Sequence, residues 1–241
     1  MAIEKIRTGV DGLDEVLGGG IPKGSVVLVS GLPGTMKSSL CYAVLSNAVR
    51  EDNVKCLFIS LEQTKRSIEV QMETMGFDME SAKKGIHVLD VGTIQKESGR
   101  SSTKPWMDFL RRTIEAKQRI DGVDIIVIDS LDALEVLAQF KDRRTELFHF
   151  FEWLRDLGTT AFVLTEAPPQ LGISVFESPQ LRDVAGYLAD GIVHLQLHPV
   201  TDVEMQRRIR IVKMRSSNHK TGFYALLFEA GRFSVTRALS S

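Results

Sequence analysis

Six short apolar runs, rich in Val and Ile, recur along the chain at Val26–Ser30, Cys56–Ser60, His87–Val91, Ile125–Asp129, Ala161–Thr165 and Ile192–Leu197. Continuous runs of this kind, without polar alternation, are the pattern of strands covered on both faces. Longer segments with helical spacing lie between them. In Arg143–Leu157, for instance, Leu147, Phe150, Phe151 and Leu154 recur at three and four residues and leave a charged back. Strands alternating with such helices predict an α/β fold, with a mainly parallel twisted sheet, right-handed crossovers and flanking helices. The tail reads differently. Arg208–Met214, Tyr224–Phe228 and Arg232–Thr236 follow closely on one another, with turn signals at Asn218–Gly222 and Ala230–Gly231, and predict antiparallel strands added to the sheet edge. No repeat or linker interrupts the pattern, so a single domain over residues 1–241 is expected. The polar stretch Gln95–Lys104 reads as a solvated loop.

Composition changes this picture little. The 241 residues are 43% hydrophobic and 25% charged with a formal net charge of -1, which is ordinary for a globular protein. No apolar run approaches the roughly 18 to 20 residues that span a bilayer, and the opening MAIEKIRTGVDGLDE has no apolar core like a secretory leader's. A cytoplasmic location without membrane insertion is the expectation. Near-zero net charge removes the overall electrostatic footprint of a nucleic-acid binder, while leaving room for a local basic patch. Cys41 and Cys56 fall on an expected buried helix and buried strand and read as packed thiols. His149, His194, His198 and His219 show no ligand spacing, His87 packs in a strand, and Trp106 and Trp153 sit in helical patterns as core or half-core aromatics.

Chemistry concentrates after the first apolar run. Gly31-Leu32-Pro33-Gly34-Thr35-Met36-Lys37-Ser38-Ser39 leads from a buried strand through a glycine turn into a helix, the context in which a Walker A match has meaning. Backbone N–H groups of such a turn wrap phosphates, and the positive end of the helix adds to their pull. Lys37 is the candidate for the β- and γ-phosphates and Ser38 for a Mg²⁺ ligand. Met36 occupies the position where the pattern requires glycine. If that residue needs a positive φ, its Cβ costs roughly 1 to 2 kcal/mol, enough to weaken nucleotide binding about tenfold.

Ligands of an open parallel sheet gather beyond the C-terminal ends of its strands. Asp129 closes Ile125-Ile-Val-Ile-Asp129 and fits a Walker B carboxylate that holds Mg²⁺ through water. Glu62 follows Cys56–Ser60 and is the candidate to polarise the water that attacks a γ-phosphate. Glu166, after Ala161–Thr165, is similarly placed and equally suited to a structural hydrogen bond.

These residues stand in a wider pattern that resembles the KaiC-like branch of the RecA/RadA ATPase superfamily, from about Arg7 to Phe233. The opening Thr8-Gly-Val-Asp-Gly-Leu-Asp14 with Leu17-Gly-Gly-Gly20-Ile-Pro22-Lys-Gly24-Ser25 is similar to that family's entry into the Walker A strand. Ile59-Ser-Leu-Glu62-Gln63, Ile126-Val-Ile-Asp129-Ser130-Leu131, Leu164-Thr-Glu166 and Ala189-Asp190-Gly191-Ile192 are similar to its successive strand ends, and Val212-Lys213-Met214-Arg215 to its K-M-R segment. The resemblance implies a RecA-like P-loop core that binds ATP and Mg²⁺ between subunits of a homo-oligomeric ring, usually of six. Lys213 and Arg215 then reach a neighbour's γ-phosphate; the two-residue period of a strand puts them on one face. Gln63 stands where many members carry a second acid beside Glu62, which implies slow turnover. One core rather than two tandem copies means that clock function and autophosphorylation do not follow.

The leading expectation is a Mg²⁺-dependent ATP-binding protein whose slow hydrolysis of a phosphoric anhydride acts as a regulatory or assembly switch in the ring, with the protein partner unnamed. Two other readings stay open. A recombinase-like, DNA-binding accessory protein draws on the six Lys or Arg residues of Arg207–Lys220, but Pro168–Gln180, where filament-forming relatives touch DNA, carries no basic residue. A nucleotide sensor that binds ATP and barely hydrolyses it suits a strained turn at Met36.

Overall fold

The computed structural model describes residues 3–93, 106–166 and 184–238; Gln95–Lys104 and Pro168–Gln180 lie outside the described residues. A short antiparallel pair, β1 (Lys5–Ile6) and β2 (Ile21–Pro22), leads into a nine-stranded sheet. The six apolar runs become its parallel part: β3 (Val26–Gly31), β4 (Cys56–Ser60), β5 (Ile86–Asp90), β6 (Ile125–Asp129), β7 (Thr160–Glu166) and β8 (Gly191–Pro199). The tail adds β9 (Met205–Met214), β10 (Phe223–Glu229) and β11 (Arg232–Arg237), all antiparallel. The spatial order is β11-β10-β9-β8-β3-β7-β6-β4-β5.

Strand alternation divides the interior in two. Val27, Val29, Phe58, Ile125 and Val127 face one apolar cluster, while Val26, Leu28, Leu57, Ile126 and Ile128 face the other. The first cluster is filled by α1 (Leu13–Val16), α2 (Lys37–Asp52), α3 (Lys65–Thr74) and α4 (Met79–Ala82), the second by α5 (Trp106–Asp121), α6 (Leu131–Ala138), α7 (Arg143–Asp156) and α8 (Val184–Leu188). Because α2 is covered nearly all round, it buries Ser39 to Leu45 without a break, and Cys41 is among these residues. Cys56 is buried on β4, and desolvation pushes its thiol up to about 12; neither cysteine is in a disulfide. Trp106 and Trp153 are half-buried against the second cluster.

Boundaries differ from the apolar pattern in two places that matter. Val91 packs in the second cluster but does not extend β5. β8 and β9 run farther than their apolar cores, since ladder pairing continues through exposed residues to Pro199↔Met205.

The connection from β3 to α2 carries the strain expected of it. Met36 caps α2 at φ 72° and ψ 33°, the left-handed region, so its Cβ costs roughly 1 to 2 kcal/mol there. The side chain is half-buried against the first cluster, which offsets about 1 to 2 kcal/mol of that cost. Met36→Ala keeps the backbone cost and loses the packing, so urea unfolding should place it about 1 to 2 kcal/mol below the wild type. Met36→Gly loses packing but recovers the backbone term and should lie within about 1 kcal/mol of wild type. Equal destabilisation by both substitutions would mean that the backbone carries no such cost.

His194 lies one residue before the β8 position level with Gly31 and is 2% exposed. Its Nδ1 meets the Ser30 hydroxyl at 2.9 Å, and burial, with the nearby Arg210 charge, lowers its pKa to about 4. The unfolded chain takes up this proton near pH 6.5 and the folded chain near pH 4, so stability falls as pH falls through that window. Between about pH 7 and pH 5 the loss from this one group is about 2 kcal/mol. His194→Gln, measured by denaturant unfolding at both pH values, should show a pH dependence smaller by that amount. An unchanged pH dependence would mean that His194 is not held neutral.

Candidate nucleotide site

Parallel register brings the candidate chemistry to one edge of the sheet. Gly31 pairs with Glu166 across β3–β7, and Ser60 pairs with Asp129 across β4–β6. The Leu61 N–H continues that ladder to the Asp129 carbonyl at 2.9 Å, which carries Glu62 out over the strand ends. The turn of residues 32–36 and the first turn of α2 lie at this same edge. There the opening amides of α2 have no carbonyl one turn below to bond, the arrangement that attracts an anion.

Tight packing shapes the turn. A Cβ on Gly31 would stand 2.6 Å from the Leu195 carbonyl oxygen and 2.7 Å from Thr35 Oγ1, so only glycine fits. Thr35 is buried and donates its hydroxyl to the Leu32 carbonyl at 2.7 Å, while Gly34 takes φ 82° with open space about it. Pro33 and Gly34 are exposed, and Leu32, Met36, Lys37 and Ser38 are half-buried. Ser39 is buried, with its hydroxyl on Met75 Sδ at 3.4 Å.

Lys37 extends back across the turn, its Nζ donating to the carbonyls of Gly31 at 2.7 Å and Leu32 at 3.3 Å. Burial lowers its pKa, and Glu166, Asp129, Asp132 and Glu62 all act against that shift. Asp129 shows the converse: burial raises its pKa, the neighbouring Glu62 charge adds to the rise, and a hydrogen bond from the Ser38 hydroxyl and the Lys37 charge oppose it. The Ser130 hydroxyl donates to Glu62 Oε1 at 2.7 Å and also caps α6, so Glu62 is steered by the residue that follows Asp129. The Glu166 N–H donates to Asp132 Oδ2 at 2.8 Å, leaving its carboxylate at the opening.

These groups surround a cleft of about 380 Å³. Met36, Lys37, Ser38 and Ser39 line one side, and Glu62, Gln63, Asp129 and Glu166 line the side where the strands end. Residues that the sequence pattern did not single out complete it: Gln71 and Met75 from the end of α3, and Arg207 from β9. Arg207 stands opposite Leu197, two residues beyond the β8 position paired with Gly31, and the described residues offer it no ion pair. Its only sequence signal is a place in a cation-rich strand.

No cluster of three or more metal-ligating side chains exists among the described residues. The Ser38 hydroxyl and Asp129 carboxylate are instead a small set of hard oxygen donors beside an anion-attracting turn. That matches Mg²⁺, which takes one or two protein oxygens and completes its shell with phosphates and water.

Lys213 and Arg215 are not brought into this cleft. A register shift between Ile192 and Val193 turns Lys213 to the α8 side of the sheet, where Nζ caps the carbonyls of Gly186, Tyr187 and Ala189 at 3.2, 3.2 and 2.6 Å. Burial and the Arg215 charge lower its pKa. Arg215 binds Asp190 Oδ1 at 2.9 Å, and Asp190 also holds Arg155 and the Val26 N–H. Both cations therefore meet the segment Gly186–Asp190, on the opposite face from Arg207 and, along the paired positions of β8, about 17 Å from it at Lys213 and about 23 Å at Arg215. They cannot serve the cleft of their own chain. The remaining cations of the tail scatter likewise: Arg208 turns to Gln206, and Arg210 binds the Thr221 carbonyl and covers Phe223.

Comparison with known proteins agrees with this architecture. A family model described as "ATPase: KaiC" matches residues 6–238. A UPF0273 protein of Aeropyrum pernix is 31% identical over 229 residues, covering 90% of this chain and 87% of that protein. The circadian clock oscillator protein KaiC of a Picosynechococcus species is 28% identical over 228 residues, 92% of this chain but only 42% of that longer protein. A solved KaiC-like protein from the archaeon Pyrococcus horikoshii has the same fold, with a TM-score of 0.79 at 24% identity over 97% of this chain and 99% of that one. With a P-loop at the end of β3 and acidic residues at the adjoining strand ends, the chain belongs to the KaiC family of RecA-type P-loop ATPases.

Proposed function

We propose that the chain binds ATP with Mg²⁺ in the cleft at the end of β3, hydrolyses it slowly, and uses the cycle as a regulatory or assembly switch in a homo-oligomeric ring. The observation that carries this reading is the convergence of Lys37, Ser38, Glu62 and Asp129 on one opening from three different strand ends. Residues 31–36 and the amides of α2 hold the phosphate tail, and the Lys37 amine exchanges the Gly31 and Leu32 carbonyls for β- and γ-phosphate oxygens. Ser38 and Asp129 hold Mg²⁺, which when bound neutralises charge that builds on the phosphates. Glu62, steadied by Ser130, accepts the proton of a water whose oxygen attacks the γ-phosphorus as the bond to the β–γ bridging oxygen breaks. Arg207 supplies a second cation from the chain's own β9. Lys213 and Arg215, remote from their own cleft, act on a neighbour's γ-phosphate in the manner of arginine fingers. With Gln63 beside Glu62, only one carboxylate serves the water, which keeps turnover low.

Glu62→Gln should lower steady-state ATP hydrolysis at least about 100-fold while changing ATP affinity less than about threefold. Turnover that survives this substitution would remove Glu62 from the reaction. Arg207→Ala loses one charge-assisted contact, so calorimetric titration should show ATP binding weakened about tenfold. Unchanged affinity would place the Arg207 side chain outside the bound nucleotide.

A further inference from the structure

The β8–β9 hairpin has two unlike ends. At the cleft end it projects past Leu195 and Arg207 into a tip, residues 200–204, braced from within by Val200 N–H to the Glu204 carbonyl at 2.9 Å and Glu204 N–H to Thr201 Oγ1 at 3.1 Å. Val200 and Val203 on this hydrogen-bonded tip and Met205 at the start of β9 are 45%, 90% and 58% exposed, beside the exposed acids Asp202 and Glu204. Apolar side chains held outward on a hydrogen-bonded turn are preorganised for a contact that the chain itself does not make.

At the other end of β8, α7 and α8 enclose a groove of about 400 Å³ lined by Phe148, Val184, Tyr187 and Leu188, with Arg144 at its rim. Phe148 and Tyr187 are 48% and 65% exposed. The Tyr187 carbonyl is one of the three that bind Lys213 Nζ, so the groove adjoins the Lys213 and Arg215 pair.

We propose that the hairpin tip of one copy seats in the α7–α8 groove of the next copy. It deepens the ring reading given above and rests on it. An apolar tip with acids meets an apolar groove with an arginine, so shape class and charge both match. The contact cannot close within one chain. The α8 wall of the groove, Val184, Tyr187 and Leu188, immediately precedes β8 and the tip follows it, so nine strand residues hold the two about 30 Å apart. A contact between unlike surfaces is head-to-tail and repeats from copy to copy, as a ring requires. The same docking carries one copy's Lys213 and Arg215 toward the cleft wall of its neighbour, because each pair of features shares an end of the same hairpin. Nucleotide and assembly are thereby read by one structural unit.

The test uses the full chain with ATP and Mg²⁺ in analytical ultracentrifugation. Val203→Glu spoils the tip and leaves the groove; Tyr187→Glu spoils the groove and leaves the tip. Each variant alone should run as a monomer of 26.8 kDa. An equimolar mixture retains one intact tip and one intact groove, and should give a dimer of twice that mass and nothing larger. That dimer also shows both variants to be folded. Assembly like the wild type's by either variant alone would overturn the contact while leaving the ring reading intact, and would assign the tip or groove to another partner. Two monomeric variants that fail to pair on mixing would overturn it as well. A wild-type chain that stays monomeric would overturn the ring reading and this contact together.

Discussion

Everything proposed for this protein depends on parallel register at one edge of the sheet. Lys37, Glu62, Asp129 and Glu166, spread over 129 residues of chain, share a cleft only because β3 and β7 end together, Gly31 beside Glu166, two residues beyond the paired ends of β4 and β6, Ser60 beside Asp129. A one-residue slip would turn Val27 and Val29 from one apolar cluster into the other and carry Gly31 away from Leu195. Burial on both faces therefore fixes the site's geometry before any ligand contributes.

The cleft gathers opposite charges under partial burial, and each modifies the other. Desolvation weakens the hold of Lys37 on its proton and of Asp129 on its charge, and the surrounding groups push back in both cases. With four carboxylates acting on one lysine, the opening favours a further cation, while the turn and α2 favour an anion. A triphosphate with a divalent ion satisfies both demands at once. A lone metal ion or a lone anion satisfies one.

Much of this was legible in the chain itself, for definable reasons. Short Val- and Ile-rich runs announce two-sided burial, and Lys37, Ser38 and Asp129 stand at strand ends whose position follows from those runs. Met36 was legible as a conformational cost; the left-handed backbone agrees with that expectation, and the packing that offsets it depends on the tertiary fold. Arg207 was hidden because five other cations follow it as far as Lys220, and only pairing with Leu197 separates it from them. Gln71 and Met75 were hidden because α3 must fold across the start of α2 before they face the cleft. The two-residue period grouped Lys213 with Arg215, but the irregularity opposite Ile192 that turns Lys213 toward α8 has no signature in the residues. The hairpin's length escaped the apolar pattern too, since its last pairs hold exposed side chains together through backbone hydrogen bonds alone.

A crystal structure with a non-hydrolysable ATP analogue and Mg²⁺ tests the central claim most directly. The account predicts the triphosphate wrapped by residues 31–38, the Lys37 amine moved from the Gly31 and Leu32 carbonyls to phosphate oxygens, and the metal beside Ser38 and Asp129. A nucleotide bound elsewhere, with Lys37 still on those two carbonyls, would contradict it.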